Sequence, residues 1–250
     1  MNIVIAVLIV SSLQSAPLAG QTLSALKGFL ESQPPVRPTS RSVEYRVSYK
    51  SSHQGKPKGE FKESGVLFIG TTKQGNTWAS APQQAAHDLQ IGEIAPPAEG
   101  QNWFNQAVSP SKLAALADPG SVLIRLLRRL QLKSEKPTVV GNGEPGEMIL
   151  VYPLEASRPG GKFWTFKMKV GEARLHVKKD GTPVSLDVVQ AYEGKLSPHF
   201  GEYLLNRRET WTFSVTAGQL QTTKYQLSLR RMDWKDSFEA DLEMTVGALQ

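Results

Sequence analysis

The sequence predicts an α+β fold built mainly on antiparallel strands, and three observations carry that prediction. After Met148 apolar residues recur at every second position over most of the chain. At least six such stretches follow one another with only short turns between them, which leaves no room for the crossover helices of a doubly wound parallel sheet. Helical three-to-four spacing is confined to two places, Thr22 to Glu31 and about 109 to 133.

Taken in order, Thr22 to Glu31 sets Leu23, Leu26, Phe29 and Leu30 on one helical face, and Gln33-Pro34-Pro35-Val36-Arg37-Pro38 ends the helix by removing backbone donors. Val43, Tyr45, Val47 and Tyr49 then alternate with Glu44, Arg46, Ser48 and Lys50, a strand with one apolar face. Ser51 to Gly59 reads as a polar loop before a strand from Phe61 to Ile69, and Gly70 to Gly75 reads as a turn into a short strand at Thr77-Trp78-Ala79. Gln83 to Gln106, with Pro96-Pro97 and scattered glycines, reads as loop with a short helical turn at Gln83 to Leu89. Ser109-Pro110 and Asp118-Pro119 each pair an N-capping side chain with proline at the first helical position. The second pair opens the clearest helix, Pro119 to Leu132, with Leu123, Leu126, Leu127 and Leu130 in one stripe and Arg125, Arg128 and Arg129 away from it.

Beyond Met148 the chain reads as nearly all strand. Trp164, Phe166, Met168 and Val170 form one alternating run and Leu175 and Val177 another, with a tight turn expected at Gly171-Glu172. Lys179-Asp180-Gly181-Thr182 holds the Asp-Gly pair of a type I′ turn, after which Val184, Leu186 and Val188 resume the alternation. Trp211, Phe213 and Val215 lead to a turn at Ala217-Gly218, then to Tyr225, Leu227 and Leu229, and finally to Phe238, Ala240, Leu242, Met244 and Val246.

The first residues read as an address. Ile3 to Val10 is uninterrupted apolar chain, too short to span a bilayer, and it is followed by the small-residue stretch Ser15-Ala16-Pro17-Leu18-Ala19-Gly20. That pattern matches a secretory signal with cleavage after Ala19 or Gly20, leaving one domain from 21 to 250 with inserted helices at about 109–133. A buried N-terminal strand is the other reading of the same run. Without cysteine the chain has no disulfide framework, no thiolate zinc site, no iron–sulfur cluster and no lipid-accepting thiol. Lys and Arg number 29 against 23 Asp and Glu, and residues 1 to 20 carry no charged side chain, so the whole formal +6 belongs to the remainder. For an exported chain the polyanions within reach are membrane surfaces and acidic polysaccharide, which sets nucleic acid aside.

Motifs for chemistry are missing. His53, His87, His176 and His199 stand in no metal-binding spacing, and no Gly-x-Ser-x-Gly elbow, phosphate loop or dinucleotide fingerprint occurs. No metal and no cofactor are expected. Arg128-Arg129, Lys178-Lys179, Arg207-Arg208 and Arg230-Arg231 read as solvated surface, and Glu239, Asp241 and Glu243 as the charged face of a protected edge strand. A hydrolase would need converging carboxylates, for which Glu202, Glu209, Asp236 and Glu239 are the candidates.

The layout of Leu23 to Leu30 running into Val43 to Tyr49, the helix Pro119 to Leu132, and the strands Met148 to Val188 with their Lys179-Asp180-Gly181 turn resembles the periplasmic lipoprotein-carrier superfamily, the LolA and LolB-like proteins. The resemblance spans roughly Gln21 to Tyr192 and implies a strongly curved antiparallel half-barrel with a helical lid on its concave face. It implies a non-catalytic periplasmic carrier whose partners are a lipid or lipidated protein and, peripherally, an anionic membrane. On the residue pattern, the apolar cavity and lid would draw on Leu123, Leu126, Leu127, Leu130, Trp164, Phe166, Trp211 and Phe213, and the basic surface on Arg125, Arg128 and Arg129. A non-catalytic envelope interaction module, working through an edge or the outer surface of the same sheet, is the alternative.

Overall fold

The computed structural model describes residues 20–34, 39–72, 77–80, 110–124, 138–140, 147–154, 165–195, 202–233 and 235–247. The Ile3–Val10 run, the Gln83–Leu89 segment and most of the predicted helix beyond 124 lie outside the described residues. Helix α1 covers 20–31. Strands β1 (Thr39–His53), β2 (Lys56–Thr71) and β3 (Thr77–Ser80) follow, then helices α2 (Pro110–Ala117) and α3, described over 119–124. Seven strands complete the fold: β4 (Thr138–Val140), β5 (Glu147–Pro153), β6 (Thr165–Lys178), β7 (Pro183–Lys195), β8 (Glu202–Thr216), β9 (Gln219–Met232) and β10 (Asp236–Val246).

All ten strands form one antiparallel sheet in the order β3-β2-β1-β10-β9-β8-β7-β6-β5-β4. The antiparallel architecture read from the sequence is the one the chain adopts, and the sheet is open, with the short β3 and β4 at its edges. After β3 the chain crosses to the opposite edge and then meanders back strand by strand until β10 lies against β1. The carboxylates of β10 therefore do not guard an edge, because β10 is paired on both sides.

Alternation gives the sheet one apolar and one polar face. A single cross-strand row runs Tyr45, Met244, Tyr225, Trp211, Leu186, Leu175 and Leu150, and these side chains all belong to the core. On the opposite face the matching row is Arg46, Glu243, Gln226, Thr210, Asp187 and Arg174. There Arg230 grips Asp241 with two nitrogens at 3.1 and 2.9 Å, and Lys224 meets Glu243 at 2.9 Å.

Three turns differ from the sequence expectation. No reversal occurs at Gly171: β6 runs straight through it, with a register shift between Met168 and Val170. Packing is close there: a Cβ would displace the flexible end of Met168 and stand 3.1 Å from the Leu154 carbonyl oxygen. The polar stretch Ser51 to Gly59 is not a loop. Its strands continue to His53 and resume at Lys56, because Gln54 (φ 52°) and Gly55 (φ 74°) both take the left-handed conformation of a two-residue type I′ turn. At the Asp180-Gly181 hairpin only Gly181 has positive φ, and its N–H donates to the Lys178 carbonyl at 2.9 Å while the Lys178 N–H donates to Thr182. That is a type I turn closed by a glycine bulge rather than a type I′ turn.

The helices sit at one end of the apolar face, called here the near end, where β1 begins and β10 finishes. Leu26 and Leu30 of α1 are buried, the Leu220 N–H donates to Gln33 Oε1 at 2.7 Å, and the backbone of Ala25 presses on Gly181. Helix α2 buries Leu113 and Leu116, and Asp118 caps α3 by accepting from the Ser121 N–H at 3.1 Å, as the Asp118-Pro119 pair predicts.

Candidate functional site

Helix α2 divides the apolar face. Its C-terminal carbonyls meet the near end, where Ala115 O accepts from Thr222 Oγ1 and Ala117 O from Arg41 Nη2, both at 3.4 Å. Arg41 is buried, and desolvation lowers its pKa, while the negative end of the helix offsets part of that cost. The first turn of α2 points the other way, toward the middle of the sheet, and there Lys112 enters the apolar face.

Three strand residues receive Lys112. Its ammonium contacts Glu209 Oε2 and stands 5.3 Å from the centroids of both Trp211 and Tyr225, whose rings lie 4.3 Å apart. Glu209 is buried, accepts from the Tyr225 hydroxyl at 3.2 Å, and meets Arg207 Nη2 at 2.6 Å. Burial first, and the Arg207 cation second, push the Lys112 ammonium down to about 7. Burial also raises the Tyr225 hydroxyl. Among the described residues one carboxylate thus serves two cations, and Arg207 Nε is buried without a hydrogen-bond partner.

Beyond Arg207 the apolar face continues toward the far end, the end carrying the β1–β2 and β9–β10 turns. Two rows make up this floor. One runs Tyr49, Ala240, Leu229, Arg207 and Gln190; the next runs Ser51, Phe238, Arg231, Leu205 and Tyr192. Tyr49, Leu229 and Phe238 are only half-buried, in contrast to the fully enclosed Tyr225 and Met244 nearer α2. The Tyr49 and Phe238 rings are 5.8 Å apart, and the Arg231 guanidinium lies 5.6 Å from the Tyr203 ring and 5.7 Å from the Phe238 ring. Arg231 is neutralised by Asp233 at 2.9 Å.

Three of the predicted cavity residues have described side chains. Leu123, Trp211 and Phe213 are buried in the hydrophobic core of the near half. Phe166 pairs with Gly194 on β6, toward the far end. Leu126, Leu127, Leu130, Trp164, Arg125, Arg128 and Arg129 lie outside the described residues. The four candidate carboxylates do not converge. Glu209 is buried on the apolar face, Glu239 is on the polar face beside Arg230, Asp236 is at the far-end turn with His53 at 2.8 Å, and Glu202 is exposed at the start of β8. Among the described residues no cluster of histidine and carboxylate groups could hold a metal.

Sequence reasoning passed over Lys112, read Arg207 and Arg231 as solvated surface, and singled out Glu209 only as a candidate carboxylate of a hydrolase. The arginine doublets hid two of them, because strand alternation sends Arg207 and Arg231 to the apolar face while Arg208 and Arg230 meet Asp187 and Asp241 on the polar one. The signal was present in the period: counting back by twos from Phe213 and Trp211 reaches Glu209 and Arg207.

No family model matches the chain. No curated protein matches it either. Among solved structures, a LolA superfamily protein from Nitrosomonas europaea aligns over 92% of this chain and 94% of that one, at 12% identity and a TM-score of 0.26. A superposition that loose fixes neither the fold family nor a ligand, so function has to be argued from the apolar face itself.

Proposed function

We propose that the chain is a non-catalytic binding or carrier protein for an acyl chain or a lipidated partner in the bacterial cell envelope. One observation carries the reading: the apolar face extends past α2 as a floor of half-buried Tyr49, Leu229 and Phe238, an aromatic and aliphatic surface suited to an apolar ligand. Export to the periplasm belongs to the same reading and rests on the Ile3–Val10 run. The excess of Lys and Arg favours peripheral contact with anionic lipid.

The test is native mass spectrometry of the purified protein together with titration of a fluorescent fatty acid. The reading expects a co-purified lipid or saturable uptake, weakened at least about tenfold by Leu229→Arg, which sets a charge in the floor. An empty protein that takes up no probe refutes it.

A second reading has its own observation. The polar face holds an open groove of about 1010 Å³ lined by Arg46, Lys62, Asp187, Arg208, Asp241 and Glu243, among others, which suits a polar partner of mixed charge. An interaction module working through that groove would lose its partner on charge reversal at Arg46 and Arg208 and would be indifferent to Leu229→Arg.

A further inference from the structure

The cations of the far half specify more than an apolar ligand. Arg207 and Arg231 occupy diagonal positions on β8 and β9, since Arg207 pairs with Leu229 and Leu205 with Arg231. Arg231 has its own carboxylate in Asp233, whereas Arg207 shares Glu209 with Lys112. Two cations against one carboxylate leave net positive charge at this point of the face, and Arg207, whose side chain is 38% exposed, can offer it to an approaching anion. Arg207 also keeps a buried Nε–H without a partner among the described residues. The apolar residues flanking it on the same face, Leu229, Leu205 and Tyr49, span from β8 to β1, three strand spacings or about 14 Å.

We propose that this half of the face takes an anionic amphiphile, with its acyl chain across Tyr49, Leu229, Leu205 and Phe238 and its oxyanion head held by Arg207. The inference rests on the carrier reading and adds the charge of the ligand and the residue that selects it. Glu209 and Tyr225 act as positioning groups: Glu209 fixes one end of the Arg207 fork, and the Tyr225 hydroxyl fixes Glu209. Lys112, held over the Trp211 and Tyr225 rings, closes the near side of the head-group position.

The experiment compares oleate with oleyl alcohol as competitors of a bound fluorescent fatty acid, on the full-length purified protein. Oleate is expected to bind about tenfold more tightly than the alcohol. Arg207→Met is expected to lower affinity for oleate about tenfold and for the alcohol less than about threefold, with Arg207→Lys between the two. Should Arg207→Met fail to fold, the acid-to-alcohol ratio of the unaltered protein and the Arg207→Lys variant decide the matter. Equal affinity for acid and alcohol overturns the head-group assignment while leaving a carrier intact. Binding of neither removes the carrier reading itself. Displacement of the probe by inorganic phosphate alone reduces the site to an anion pocket and overturns the amphiphile.

Discussion

Replacing Lys112 by Met isolates the one ammonium buried among the rings of Trp211 and Tyr225. From an ordinary 10.5 its pKa is pushed down to about 7, so the folded protein holds fewer protons at this site than the unfolded chain between those two values. Stability therefore rises with pH across that window: the penalty is complete below pH 7 and is gone above pH 10.5. At about 1.4 kcal/mol per pH unit the ceiling is about 5 kcal/mol. The Lys112 side chain is 20% exposed and touches Glu209, both of which reduce the effect, so a gain of about 2 kcal/mol between pH 7 and 9 is expected. Urea unfolding midpoints at half-unit pH steps measure it, and Met keeps the stem against the rings while deleting the titration. The variant should lack the rise and sit within about 1 kcal/mol of the parent at pH 7, because Glu209 keeps Arg207 and Tyr225 as partners. As a control, Glu209→Gln removes the carboxylate shared by Lys112 and Arg207 and should cost about 1–3 kcal/mol, Arg207 being 38% exposed. Parallel pH profiles for the parent and Lys112→Met would refute the reasoning.

Two backbone predictions follow from the turns. Gly181→Ala drives a Cβ into the Ala25 carbonyl at φ +89°, so it should destabilise by more than about 2 kcal/mol and raise hydrogen exchange first in α1, where the turn and helix meet. Ala217 holds φ 52° in the β8–β9 turn, beside Gly218 at φ 77°, so Ala217→Asn should stabilise by about 0.5–1 kcal/mol, seen as a higher thermal midpoint. Unchanged stability in Ala217→Asn would show that the turn is not strained.

Strand alternation was the most legible feature, because a two-residue period survives even where single residues break it. Trp211, Phe213, Leu242 and Met244 all face the core as their spacing implies. The helix at 20–31 and the Asp118 cap were equally readable, since both are local devices. What sequence could not convey was partnership across strands. Nothing near Gly171 distinguishes a turn from a strand glycine packed against Met168, and nothing near Glu239 reveals that its strand is central. The charged cluster was hidden for the same reason. Arg207 and Glu209 look like surface until Lys112 arrives from a helix about a hundred residues upstream.

The pairing of β1 with β10 sets a clock on assembly. Their register joins Val43 to Val246 and His53 to Asp236, so an interior pair of the sheet is built from the first and last of the described strands. From His53 to Val246 is a further 193 residues, about 10–40 s of translation at ordinary speed. Throughout that interval the β1–β3 unit and the growing meander each present an unmatched side and cannot lock together. The sheet therefore cannot be completed before β10 has emerged. A circular permutant that synthesises β10 immediately before β1 makes this pair a local hairpin and should fold faster, in line with its lower contact order.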